Sequence, residues 1–167
     1  MADYNFNAIH VLNKYIASRL ATLSLIQSIN GLQPIFPSQE PPEVANTKSS
    51  FITYSFSTVP SFDLYCESID TIAYNISAAT NSLALKLYNG LFDIIKGEDD
   101  LASAVNKYIY VEYTSSFAEE IYDFKNVRII SSTGPGPADE EGGRIYAQIV
   151  VSSRYTTLLD ANGLRAH

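Results

Sequence analysis

Two β-rich stretches joined by a glycine- and proline-rich connection constrain this chain more than any other feature. The stretches cover 127–132 and 144–152, and Thr133 to Gly143 connects them. β-branched and aromatic residues favour strands, whereas glycine and proline interrupt regular structure. Because the connection exceeds a two-residue turn, we predict a long C-terminal β-hairpin with a projecting tip. Alternation places one set of residues on one face of the second arm (Ile145, Ala147, Ile149, Val151) and another set on the other (Tyr146, Gln148, Val150, Ser152).

Two long helices are predicted, each with one apolar side. The first spans 3–28, and its apolar residues recur at steps of three and four (Ile9, Leu12, Ile16, Leu20, Leu23). Its opposite face is predicted to carry polar residues (Asn13, Lys14, Ser18, Thr22). The second spans 77–96, begins at Ser77 or Thr80, ends at Gly97 and has an apolar stripe (Leu83, Leu87, Leu91, Ile94).

Three further strands are predicted at 51–57, about 66–77 and 107–114, with short helical turns at 99–105 and 117–124. In the first two strands, alternation predicts shared faces for two sets of residues (Ile52, Tyr54, Phe56; Ile72, Tyr74, Ile76). The fold class is therefore α+β, a mostly antiparallel sheet of four to five strands with both long helices packed on one face. We expect one domain over 1–167, with a flexible tail from about 157.

The stretch from 31 to 50 differs in composition from the rest of the chain. It is rich in proline and has little periodicity, and a loop of this length in a compact domain is usually functional or a linker. We interpret it as an arm that lies against its own domain or a neighbour. Its prolines are candidate interface residues (Pro34, Pro37, Pro41, Pro42).

Composition narrows the classes of partner and of compartment. Eighteen acidic against eleven basic residues give a net charge of −7, which disfavours nucleic-acid binding because such proteins concentrate Lys and Arg. Cys66 is the one cysteine, so no intrachain disulfide can form. Neither a secretory signal nor an apolar run long enough to cross a membrane is recognisable. We expect a cytoplasm-like setting and no membrane contact.

Residues typical of catalytic or metal sites are few. His10 lies beside the apolar stripe of the first helix, where a structural role is favoured over catalysis. No metal-ligating or phosphate-loop spacing occurs, and Cys66 is interpreted as a small buried residue. We therefore predict no enzyme activity, no metal and no cofactor. The acidic tip of the hairpin (Asp139, Glu140, Glu141) is either a solvated turn or a loop facing a partner or a lumen.

Twelve tyrosines and no tryptophan form the most unusual part of the composition. In the strand 107–114, alternation places Tyr108, Tyr110 and Glu112 on the face opposite Ile109 and Val111. If the helices cover the Ile–Val side, these tyrosines are exposed, and rigid amphipathic rings are enriched at protein interfaces. Coverage of both faces within the monomer is the alternative. We assign Tyr108, Tyr110 and Glu112 as candidate interface residues.

The order of these elements resembles the tail terminator (tail-completion) proteins of tailed bacteriophages. The resemblance extends from about residue 5 to 156 and is a pattern of elements with no sharp motif. Its parts are the one-sided N-terminal helix, the strand 51–57 after a proline-rich stretch, the segments 66–76, 78–95 and 99–106, and the terminal hairpin. The long proline-rich arm is a departure from the family pattern.

The resemblance implies a virion structural protein of the tail or neck, assembled in the host cytoplasm. Such a subunit forms a ring, usually a hexamer, that caps the tail tube, ends its polymerisation and joins it to neck or head-completion proteins. A sheath would be a further partner if the tail is contractile. The resemblance also implies that DNA passes through the ring without specific binding, with Asp139, Glu140 and Glu141 as candidates for an acidic lining.

Other functions remain open at this point. A head–tail adaptor (neck) protein or a tail-tube subunit also builds rings from small subunits. A small hydrolase that uses an acidic pair such as Asp99 and Asp100 is a more distant alternative. A small-molecule-binding module is another, and one enclosed apolar pocket would favour it.

Overall fold

The structure is a computed structural model that describes residues 4–22, 35–37, 50–60, 67–96, 102, 104–105, 122–136 and 143–157. Among these residues lie two long helices, α1 (Tyr4–Thr22) and α2 (Asn81–Lys96). The strands are β1 (Ile35–Pro37), β2 (Phe51–Pro60), β3 (Glu67–Ala78), β4 (Tyr122–Thr133) and β5 (Ile145–Thr157). Ala102, Ala104 and Val105 are also helical, in agreement with the predicted short turn.

The strands form one sheet in the order β1-β2-β3-β5-β4. Strands β2, β3, β5 and β4 pair antiparallel, whereas the short β1 pairs parallel with β2. The last of the described strands, β5, therefore occupies the interior of the sheet, between β3 and β4. The α+β class, the four-stranded antiparallel sheet and the two helices are confirmed.

Both helices pack on the same face of the sheet. The core joins the apolar sides of α1 and α2 to alternate residues of β2, β3 and β5. Register explains the alignment, since Ile52 lies beside Ile76, and Ile76 lies beside Ala147. The predicted alternation holds on both central strands, whose inward residues are buried (Ile72, Tyr74, Ile76; Ile145, Ala147, Ile149, Val151). Phe56 is an exception, because 39% of its surface remains exposed near the end of the inner face.

Helix α1 begins at Tyr4, and its described part ends at Thr22, where Thr22 Oγ1 donates a 2.9 Å hydrogen bond to the Ser18 carbonyl. Its predicted apolar stripe is buried (Ile9, Leu12, Ile16, Leu20). The predicted polar face is wrong at one position, since Asn13 is only 7% exposed. Residues 23–28 of the predicted helix lie outside the described residues.

Helix α2 begins at Asn81, four residues after the start of the predicted span at 77. Ser77 and Ala78 belong to β3, and Thr80 Oγ1 accepts a 3.2 Å hydrogen bond from the Leu83 amide. This bond is the N-cap contact that favours a helix start. Leu83 was predicted to be buried but is 43% exposed, because its neighbour Ala84 packs against Ala78 and Ile145 instead. The buried side of α2 comprises Ala84, Leu87, Leu91, Ile94 and Ile95.

The two predicted hairpin arms lie in β4 and β5, which pair antiparallel with bulges at Phe124/Asn126 and Ile129/Ser131. The connection is described only near its ends, and 137–142 lies outside the described residues. Gly143 enters β5 with φ of 63°, a conformation that glycine adopts without the strain a Cβ would bring. The predicted helix over 117–124 is wrong at Tyr122, Asp123 and Phe124, which form the start of β4.

Candidate functional site

Most of the predicted interface and lumen residues lie outside the described part of the chain. These are Tyr108, Tyr110, Glu112, Pro34, Pro41 and Pro42, together with the acidic residues Asp139, Glu140 and Glu141. Their assignment to interfaces stays a prediction.

Pro37 is the exception, and it places part of the proline-rich arm against its own domain. It lies in β1, where its Cα pairs with that of Tyr54 in β2. Proline lacks the amide hydrogen that a central strand needs, and an edge strand tolerates it. The prediction of little regular structure in the arm is therefore wrong at Ile35–Pro37.

A buried polar cluster joins α1 to the sheet at this side of the molecule. The Tyr74 hydroxyl donates a 2.6 Å hydrogen bond to Asn13 Oδ1, and both side chains are buried. The Tyr54 ring lies beside them and is 5% exposed. Asn13 Nδ2 is buried and has no hydrogen-bond partner among the described residues. A buried donor in this state is energetically costly until an acceptor reaches it.

The two tyrosines of this cluster are held in their neutral form. Burial raises the pKa of Tyr74 strongly, and the nearby Tyr54 and Asp70 raise it further. Burial also raises the pKa of Tyr54, and the Asn13 side chain partly offsets that effect. Both hydroxyls therefore keep their protons near neutral pH, where they can donate as well as accept hydrogen bonds.

Next to this cluster, a cleft of about 380 Å³ runs between α1 and the β1–β2 edge of the sheet. It is lined by His10, Asn13, Lys14, Ala17, Ser18, Ala21, Ile35 and Tyr54. Small side chains at 17, 18 and 21 leave this space open, since larger ones would fill it. His10, Lys14 and Ser18 recur every four residues, so they form one exposed stripe along the rim.

The sheet face opposite the helices carries mostly small or polar side chains. Gln148 Nε2 donates a 2.8 Å hydrogen bond to Asn75 Oδ1 across β5 and β3. At one end of this face, Arg144 lies over the Phe51 ring, 4.7 Å from its centroid, and its Nε donates a 2.6 Å hydrogen bond to Ser77 Oγ. The neighbouring Tyr146 is half exposed. Side chains of this kind suit contact with another polar surface.

A second set of polar side chains lies around Asp70, on the sheet face that the helices cover. Thr58 Oγ1 donates a 2.6 Å hydrogen bond to Asp70 Oδ1, and Asp70 is 1% exposed. Ser153 pairs in register with Asp70, and its buried Oγ has no hydrogen-bond partner among the described residues. Thr58, Asp70 and Ser153 thus form a polar row inside an otherwise apolar layer.

Sequence reasoning missed Asn13, although a signal for its burial was present. Asn13 follows Ile9 by four residues and precedes Ile16 by three, which is the spacing of the apolar stripe itself. Its polar side chain led to its assignment to the solvent face. Tyr74, which donates a hydrogen bond to Asn13, and the adjacent Tyr54 come from strands that are distant from it in sequence, so the sequence alone did not indicate this contact.

Within the described ranges, no group of three or more His, Cys, Asp or Glu side chains lies close enough to hold a metal ion. Neither described helix is long and apolar enough to cross a membrane. No protein-family model matches this chain, and no curated protein matches it either.

Proposed function

We propose that this chain is a structural virion protein, a tail terminator whose copies close into a hexameric ring on the end of the tail tube. The ring ends tube polymerisation and joins the tube to neck or head-completion proteins. DNA passes through it without specific binding, and each subunit acts through its surfaces without a catalytic site. Localisation in the virion tail or neck is part of the same proposal.

The observation that carries this proposal is the one-sided layering of the domain. Both helices cover one face of the sheet, so the described part of the opposite face keeps partly exposed side chains (Thr53, Thr71, Ala73, Asn75, Gln148, Val150). The resemblance of the sequence to tail terminators supports the same proposal. A closed ring needs two different complementary surfaces on each subunit, and the part of this face that the two described helices leave partly exposed offers room for one of them.

Strand β4 gives a second reason to expect contacts between subunits. It ends the sheet order, so among the described strands it pairs on one side only. Ile130 in this strand is 50% exposed, next to the bulge between Ile129 and Ser131. An unpaired edge invites association with another chain, while a bulge limits the length over which strands can add.

The test combines a measurement of mass with an image. The purified protein, alone and mixed with the tail-tube protein of the same virion, is examined by light scattering and negative-stain electron microscopy. We expect a closed ring, alone or on tube ends, and tubes whose elongation stops when this protein is added. A protein that stays a single copy at every concentration, and that leaves tube growth unchanged, refutes the proposal.

The same experiment separates the runner-up functions. A tail-tube subunit stacks into long tubes by itself, whereas a terminator stops at one ring. A head–tail adaptor binds the head-side partner and does not arrest tube elongation. If the tail is contractile, the sheath protein is added as a further partner.

The cleft beside α1 favours one function of a different class, a small-molecule-binding module. Its volume of about 380 Å³ lies within the range of ligand pockets. His10, Lys14 and Ser18 are exposed along its rim, so the cleft opens to solvent rather than forming an enclosed pocket. Saturable binding of a small molecule by the single copy, without ring formation, would favour this alternative over a structural role.

A further inference from the structure

The outer surface of α1 has a charge opposite to that of the whole chain. The chain has a net charge of −7, yet α1 contains no Asp or Glu. Its exposed stripe carries the cationic Lys14, which lines the cleft together with His10 and Ser18. A rim of this charge attracts an acidic partner and repels a basic one.

The inner part of the cleft adds a specific recognition element. Asn13 lines the cleft, is 7% exposed, and its Nδ2 has no hydrogen-bond partner among the described residues. Its Oδ1 already accepts a hydrogen bond from the Tyr74 hydroxyl, so the group that remains for a ligand is the Nδ2 donor. A hydrogen-bond acceptor that enters the cleft would satisfy this donor, and a carboxylate would also pair with Lys14.

We propose that the cleft between α1 and the β1–β2 edge receives an acidic side chain from a second copy of this chain. The excess of acidic residues, eighteen against eleven basic ones, supplies many such groups on each neighbour. The cleft is then one of the two complementary surfaces that a head-to-tail ring requires. This inference rests on the proposed ring function and names the surface that closes it.

The first part of the experiment locates the contact. A photo-reactive benzophenone amino acid replaces Ser18 at the rim, and a matched variant carries it at the exposed Asn89 on α2. After irradiation of the full chain under ring-forming conditions, mass spectrometry identifies the cross-linked peptides. We expect adducts between copies from position 18, attached to a peptide that contains Asp or Glu, and far fewer from position 89.

The second part measures the energetic role of charge and shape. Lys14→Glu reverses the rim charge, and Ala21→Leu fills the cleft without changing charge. Lys86→Glu, at an exposed site on α2, is the matched charge control. We expect each cleft variant to weaken self-association by about tenfold or more, and the control to change it far less. Circular dichroism verifies that all three variants remain folded.

The outcomes separate this inference from the function on which it rests. A ring that forms normally in Lys14→Glu and Ala21→Leu, with no adduct from position 18, overturns the cleft contact and leaves the ring function standing. Absence of self-association under every condition, with the tube protein present, overturns both. Saturable binding of hexanoate by the cleft, together with unchanged ring formation in both variants, assigns the site to a small carboxylate and also overturns the inference.

Discussion

Removing one oxygen atom from Tyr74 tests how α1 is attached to the sheet. The Tyr74→Phe substitution keeps the buried ring but deletes the 2.6 Å hydrogen bond to Asn13 Oδ1. Two effects add: the net loss of a hydrogen bond, about 1 kcal/mol, and the penalty for a buried acceptor left without a donor. We expect the free energy of unfolding to fall by about 1–3 kcal/mol.

The assay is urea unfolding followed by circular dichroism, together with a thermal melt. For a domain of this size, each kcal/mol shifts the melting temperature by about 2–4 °C, so a decrease of roughly 5 °C is expected. Tyr146→Phe, at a half-exposed tyrosine on the opposite sheet face, is the matched control. It should change stability by less than about 0.5 kcal/mol.

A double-mutant cycle with Asn13→Leu isolates the bond itself. Asn13→Leu alone leaves the Tyr74 hydroxyl buried without its acceptor, so it is also expected to destabilise the protein. Replacing both partners by apolar groups can be nearly neutral. The double variant should therefore lose less stability than the sum of the single variants, by about 1 kcal/mol or more. Strict additivity, or a Tyr74→Phe protein as stable as the parent, would refute the described bond between helix and sheet.

Three further predictions follow from burial, from the tyrosine pKa values and from the proposed interface. Leu91→Ala removes a buried side chain and should lower the free energy of unfolding by about 2–5 kcal/mol. The control Leu85→Ala, at an exposed position of the same helix, should lower it by less than about 0.5 kcal/mol. Equal losses for the two variants in urea titrations would contradict the placement of α2. Burial raises the pKa of both tyrosines beneath α1 above 10.0, so their contribution to stability is full below pH 10.0 and is lost as the pH rises towards their folded-state values. Ultraviolet titration should show the Tyr74 hydroxyl ionising only with unfolding and the Tyr54 hydroxyl ionising at a higher pH than an exposed tyrosine. Ionisation of Tyr74 in the folded protein would disprove its burial. Replacing Tyr108 and Tyr110 together with serine should weaken ring assembly in light scattering and leave the circular dichroism spectrum unchanged, whereas an unfolded variant would identify these tyrosines as core.

Much of the local structure could be predicted from patterning, because burial on one side leaves a period in the sequence. The alternation along 145–151 and the steps of three and four from Ile9 to Leu20 identified the buried faces correctly. Boundaries were less accurate, as at the start of α2, where two hydroxyl residues were both plausible caps. Thr80 is the cap, because Ser77 pairs with Phe51 in the sheet and so belongs to β3. That pairing leaves no trace in the local sequence.

The cleft was not predictable for a related reason. Its surfaces come from α1, β1 and β2, and its depth depends on how closely the helix approaches the strand edge. Asn13 was assigned to solvent because polar side chains usually lie there, and only the tertiary position of Tyr74 supplies the hydroxyl that makes its burial tolerable. The identity of a buried polar partner is a property of three-dimensional proximity.

By itself, the sequence determined the α+β class, the one-sided helices and the alternating strands, since each depends on neighbours within a few residues. Only the tertiary structure decided that β5 lies between β3 and β4, that Ile35–Pro37 joins the sheet edge, and that Asn13 faces a tyrosine sixty-one positions away. The physical reason is that hydrogen bonds between strands and contacts across the core join residues whose separation along the chain is large. Local propensity does not encode such contacts, which form only when the apolar faces of the chain pack together.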